Sequence, residues 1–253
     1  MNILLDISYD GTNFCGFQVQ KNGVSVCETL QNALEALFGA RPDVKGCGRT
    51  DAGVHALHYA LNFWADTSIP VEKLPLALNR YLPDAVRVNA ARRVPEEFHA
   101  RYSAHQKTYV YRIWNSPVES PFEAAYHHRI SAPLNVAAMD AAAARFVGTH
   151  DFLSLCSAGS SVAERGDTVR TITACKAQRQ GELVTVTVTA DGYLYNMVRI
   201  LAGTLVEAGR GALDPEAVPA ILAGRDRTLA GPTLPAKGLF LKQVDYPPEA
   251  LGL

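Results

Sequence analysis

The chain has 253 residues, enough for one large domain or two smaller ones, each with its own core. Its 24 basic and 25 acidic residues give a net charge of −1, which excludes a uniformly basic nucleic-acid binder; any such footprint must come from placement. Hydrophobic residues make up 48 % and no apolar run is long enough to cross a bilayer, so a membrane partner is not expected.

The opening MNILLDISYD meets Asp6 and Asp10 too early for a signal-peptide core, and a cytoplasmic protein is expected. The five cysteines (Cys15, Cys27, Cys47, Cys156 and Cys175) are odd in number and widely spaced, without a C-x-x-C pair. They read as incidental or buried thiols rather than a disulfide framework.

In chain order, residues 2–9 alternate as a strand with Ile3, Leu5, Ile7 and Tyr9 on one side. Ser25 and Glu28 form a capping box before a helical stripe of Leu30, Ala33, Leu34 and Leu37, which Gly39 stops. Val44–Gly48 is extended and leads into GRTDAGVHA at 48–56. Strands are predicted at 59–65 and 86–92, with a helix at 71–81 that contains Pro75. Further on, 107–114 is a strand, 136–146 a helix, and 169–177 and 183–189 a strand pair. Helices at 194–208 and 215–222 and a strand at 239–244 follow. This order predicts two α+β halves, residues 1–104 and 105–247, over an antiparallel or mixed sheet. The small, polar stretch 157–167 reads as a mobile surface loop.

The chemistry-bearing segment is GRTDAGVHA. Gly48 and Gly53 bracket Arg49, Thr50 and Asp51, so the backbone can turn sharply on either side of a displayed carboxylate. Local chemistry leaves three readings open: a reactive aspartate, an Asx turn bound to its own backbone, or a metal site. The last would use the D-x₃-H-x₂-H spacing of Asp51, His55 and His58, with His99, His105 or His150 as a further ligand. In KTYVYRI, Tyr109 and Tyr111 share one face of a strand, as core aromatics or as a stacking surface. Arg199 lies in an apolar helix, where a charge needs a salt-bridge partner or a path to solvent.

GRTDAGVHA, together with YDGTNFCGFQ (9–18), FHARYSA (98–104), KTYVYRI (107–113), MVRILAG (197–203) and DRTLAGPTLPAKGLFL (226–241), resembles the bacterial tRNA pseudouridine synthase A family. The segments occur in the family's order across nearly the whole chain. The resemblance implies the pseudouridine synthase fold: α+β, two ferredoxin-like halves forming a continuous, mainly antiparallel sheet flanked by helices. It implies isomerisation of uridine to pseudouridine at positions 38, 39 and 40 of the tRNA anticodon stem and loop. No cofactor or metal is implied, and the protein is expected to be a homodimer.

The same resemblance assigns Asp51 as nucleophile or C2′-proton acceptor, Tyr109 to the uridine pocket and Arg199 as partner to the Asp51 carboxylate. Arg49 and Asn79 (in LALNRYLP) are expected to bind substrate, and Arg101, Lys107, Arg112 and Arg170 to contact the RNA backbone. At DGYLYNMVR the family's usual phenylalanine gives way to Tyr193 or Tyr195. Two other classes fit parts of the pattern: a non-catalytic RNA-binding module and a metal-assisted hydrolase.

Overall fold

The structure, a computed structural model, describes residues 1–21, 23–159 and 165–253. It divides into two α+β units: residues 1–106 with 240–253, and residues 107–239. The segment after 240 clusters with the first unit. A linear division at 104/105 assigns it to the second and misses that return.

In the first unit, β1 (Asn2–Tyr9) lies between β3 (His55–Trp64) and β4 (Val86–Arg93), antiparallel to both. The short β2 (Lys45–Gly46) pairs antiparallel with β3. β10 (Leu239–Asp245) adds to β3 in parallel, with Phe240 opposite His55. Those ladder bonds draw the chain's last strand to its first unit. Ile3, Leu5, Ile7 and Tyr9 are buried, as their alternation predicts.

Helix α1 (Val26–Phe38) begins at its expected cap: the Glu28 N–H donates to Ser25 Oγ (3.1 Å). It ends where the Gly39 N–H donates to Glu35 O at φ 73°, a left-handed cap suited to glycine. The predicted helix 71–81 is shorter, a 3₁₀ turn at Val71–Lys73 followed by α2 (Leu74–Leu78). Pro75 fits there because a first-turn residue needs no N–H donor. The strand predicted at 59–65 starts earlier, at His55, because hydrogen bonds to β1 and β10 override a locally polar sequence.

Two buried amides tie this unit together. Asn62 donates to Asn2 Oδ1 (2.9 Å) and to Phe98 O (3.2 Å), and its own oxygen accepts from the Ala100 N–H (2.8 Å). Asn2 also donates to Phe98 O (3.0 Å). Both of these buried amides thus find the partners that burial demands.

In the second unit, β5 (Gln106–Trp114), β9 (Leu183–Ala190), β8 (Val169–Gln180) and β7 (Gly148–Asp151) form an antiparallel sheet in that order. β6 (His128–Arg129) pairs parallel with β5. The alanine-rich α3 (Val136–Ala144) approaches β8 closely enough for Asp140 to accept the Ala177 N–H (2.9 Å). Helix α4 (Met197–Gly209) starts three residues later than predicted, because Asn196 is left-handed at φ 62°. A 3₁₀ turn at Pro215–Ala217 leads into α5 (Val218–Gly224). Of the loop predicted at 157–167, residues 160–164 lie outside the described residues. Among the described residues, no helix is long and apolar enough to cross a membrane.

Candidate active site

Asp51 sits, half-buried, in the loop joining β2 to β3, and that loop is fastened from three directions. The Val54 N–H donates to Asp51 O (3.2 Å), closing a β-turn whose Gly53 adopts φ 77°. The Gly53 N–H donates to Phe14 O (3.3 Å) and the Phe17 N–H to Thr50 O (3.2 Å), so the 14–17 segment grips both flanks of the aspartate. The same segment is moored to α1: Val26 N–H donates to Gly16 O (3.1 Å) and Cys27 N–H to Phe17 O (2.9 Å). Helix α1's otherwise unpaired first donors thereby hold the segment that holds Asp51.

Below the loop lie three aromatic rings. Phe17 stacks on Tyr59 at 4.2 Å, and Tyr9 tilts against Tyr59 at 5.7 Å. The Tyr59 hydroxyl donates to Gly48 O (2.5 Å), and the Tyr9 hydroxyl shares a buried 2.8 Å hydrogen bond with Thr50 Oγ1. Glycine at position 16 is a steric requirement. Its φ is 109°, and a Cβ there would lie 2.5 Å from Thr50 O.

The two histidines after Asp51 have separate partners. His55 Nδ1 accepts from the Gly11 N–H (3.0 Å) and lies 3.1 Å from Asp10 Oδ1, while its ring stacks on Phe240. The two Nδ1 contacts make opposite demands on its proton; the buried backbone donor, having no water to turn to, favours the unprotonated nitrogen. His58 Nδ1 meets Asp6 at 2.9 Å. A shared ligand set built on the D-x₃-H-x₂-H spacing is therefore not what the histidines form. Among the described residues, no group of three or more His, Cys, Asp or Glu could hold a metal ion.

Other expected residues of the first unit divide clearly. Asn79 donates to Val88 O (3.0 Å) and accepts from the Val88 N–H (2.8 Å), which pins α2 to β4. Arg49 and Arg101 are exposed, and the Arg101 guanidinium lies 5.7 Å from the centre of the Tyr102 ring.

In the second unit, Tyr109 is half-buried on β5, with the Tyr193 ring edge-on at 4.9 Å and 80°. The Tyr193 hydroxyl donates toward Lys107 O (2.7 Å) and Val188 O (2.8 Å), and burial pushes its pKa well above the phenol's usual value. Tyr195 is exposed, so Tyr193 is the ring that faces Tyr109. On α4, Arg199 Nε donates to Leu234 O (2.6 Å) and Nη1 to Asn196 Oδ1 (2.7 Å). Burial also raises the pKa of Tyr111, with the Arg199 charge opposing it. Gly203 admits the 231–233 segment, since a Cβ would fall 1.9 Å from Pro232 O. Arg112 is paired with Glu123 (3.0 Å) and Arg170 with Asp167 (3.1 Å), so both would have to exchange carboxylates for phosphates to contact RNA. The thiols stay protonated where burial raises them, Cys27 to about 11 and Cys175 to about 12.

A sequence profile of tRNA pseudouridine synthases matches residues 7–103 and 142–247. The chain belongs to the tRNA pseudouridine synthase family. It is 45 % identical to tRNA pseudouridine synthase A of Ruminiclostridium cellulolyticum, over 96 % of this chain and 99 % of that protein. The corresponding proteins of a Thermoanaerobacter species and of Moorella thermoacetica are 43 % and 45 % identical, over 97 % and 96 % of this chain and 99 % and 98 % of theirs. The chain is thus an isomerase that converts uridine to pseudouridine in tRNA. Tyr9, Gly16 and Tyr59 carry no reactive signature of their own in the sequence, and only the fold shows that they support the Asp51 loop.

Proposed function

We propose that this synthase modifies uridines 38, 39 and 40 of the anticodon arm, with Asp51 opening the N-glycosidic bond. The observation that supports Asp51 is its loop: a half-buried carboxylate on a backbone gripped by Phe14 and Phe17, with Tyr9 holding the Thr50 side chain beside it. Such fixing holds a reacting group in place at little entropic cost. The reaction breaks N1–C1′, rotates the uracil and forms C5–C1′; N1 gains a proton and C5 loses one. No electrons or atoms are exchanged with a second reactant, so none of the chemistry calls for a redox cofactor. Two routes use the same carboxylate: addition to C1′, or removal of the C2′ proton. Tyr109 stacks on the uracil in this proposal, and Arg199 stabilises negative charge.

Reaching three neighbouring uridines requires recognition of shape and backbone more than a base code. Exposed Arg49 and Arg101 suit that task despite the net charge of −1. The resemblance further supports a cytoplasmic homodimer; sedimentation of the purified protein tests the dimer, and cell fractionation the location.

The deciding experiment uses tRNA carrying tritium at uridine C5, in excess EDTA. Wild type is expected to release tritium, and Asp51→Ala to bind the tRNA but release none. Turnover by Asp51→Ala would remove Asp51 from the chemistry, and loss of wild-type turnover in EDTA would favour the metal-assisted alternative.

A further inference from the structure

The turn Phe98–Ser103 has its backbone locked from below and its side chains displayed above. Phe98 and Ala100 are buried, at 2 % and 0 % exposure, and Phe98 packs against Tyr246 at 5.1 Å. Phe98 O accepts from Asn2 and Asn62. Ala100 donates its N–H to Asn62 and accepts the Tyr246 hydroxyl (2.7 Å). The turn also closes on itself: His99 N–H donates to Ser103 Oγ (3.1 Å), Ser103 N–H to His99 O (2.9 Å) and Arg101 N–H to His99 Nδ1 (3.1 Å).

On this frame stands Tyr102, 77 % exposed. The His99 ring lies 4.5 Å from it and the Arg101 guanidinium 5.7 Å. Burial, then the nearby Lys45 charge, holds His99 below its usual pKa, so its ring is an uncharged face at neutral pH. A rigid aromatic face with a cation beside it fits the flat face and adjoining phosphate of an unstacked nucleotide. A protein partner would call for a contiguous apolar area, whereas this turn offers one ring among polar groups.

We propose that Tyr102, backed by His99, is a stacking platform for an unpaired base of the tRNA substrate, with Arg101 contacting the neighbouring phosphate. The proposal rests on tRNA being the substrate and is independent of the role of Asp51. Because the backbone is already fixed, binding loses little entropy in forming the platform.

The test measures affinity for an anticodon-arm transcript across salt concentrations, and turnover separately, in Tyr102→Ala, Tyr102→Phe and Arg101→Ala. Tyr102→Ala is expected to raise Kd and KM about tenfold, with Tyr102→Phe restoring affinity because it keeps the ring. Arg101→Ala is expected to weaken binding and reduce the salt slope by about one. Circular dichroism should be unchanged in all three. Wild-type affinity and KM in Tyr102→Ala would overturn the platform. So would a changed sedimentation coefficient with RNA affinity intact, which would mark a contact between protein chains. A wild type that binds this tRNA without turnover would count against the proposed modification of uridines 38, 39 and 40 and leave the platform standing.

Discussion

Asp51, the proposed reactive residue, and the residues that hold it have different chemistry. Asp51 is displayed, while Tyr9 and Thr50 share a hydrogen bond that is buried immediately before it. Tyr9→Phe removes one partner and strands the Thr50 hydroxyl, which costs about 1–3 kcal/mol. Because the shift is transmitted to Asp51, kcat is expected to fall about tenfold or more, with KM little changed. Steady-state tritium release and thermal melts read both effects; an unaltered kcat would show that Asp51 does not depend on this bond. Tyr193 makes a parallel case beside Tyr109. Its ring supplies the edge-on contact, so Tyr193→Ala is expected to lower kcat/KM more than Tyr193→Phe does.

At the level of elements, one short segment couples a helix terminus to the aspartate loop. Residues 14–17 accept hydrogen bonds from the start of α1 and exchange others with both sides of Asp51. Gly16→Ala is expected to destabilise the fold and reduce turnover together, since φ 109° and the 2.5 Å approach to Thr50 O both exclude a Cβ. Urea unfolding and activity of that variant check this; normal values for both would mean that the segment relaxes freely. Much at this scale was legible in the sequence. The Ser25 cap, the Gly39 stop and the β1 alternation are local signals, and the structure contains each of them. The early start of β3 and the short β6 and β7 were not legible, because a strand's extent depends on partners remote in the chain. The short α2 was misjudged for the same reason: its apolar period continues past the point where Asn79 turns to bind Val88.

At the scale of the whole molecule, titration of half-buried imidazoles sets a pH limit. Burial, then the charges of Lys237 and Arg210, lowers the pKa of His128, and His99 is lowered likewise. Below the usual imidazole value of 6.5 the unfolded chain binds more protons than the folded one. Stability is therefore full above that pH and is lost as pH falls through the folded values. The urea midpoint is expected to drop between pH 7.5 and 5.5, and less steeply in His128→Gln; an equal drop in that variant would remove His128 from the effect. Glu119 acts in a lower window. The hydrogen bond from His127 lowers its pKa, so its contribution is present above its usual 4.5 and lost as pH falls below.

The sequence by itself determined the class of molecule and the reaction, and pointed to Asp51 as the proposed reactive carboxylate, because those depend on residue types at short, ordered spacings. GRTDAGVHA states its glycines and aspartate outright, and the further motifs agree with it in order. Only the tertiary structure decided how the carboxylate is held, that Asn79 fastens two elements, that Tyr193 and not Tyr195 meets Tyr109, and that the chain's last strand returns to the first unit. It alone raised Tyr102 on a locked turn, using amides at positions 2 and 62. Such contacts join residues from 9 to 185 positions apart, and packing and hydrogen-bond satisfaction select them as the chain folds.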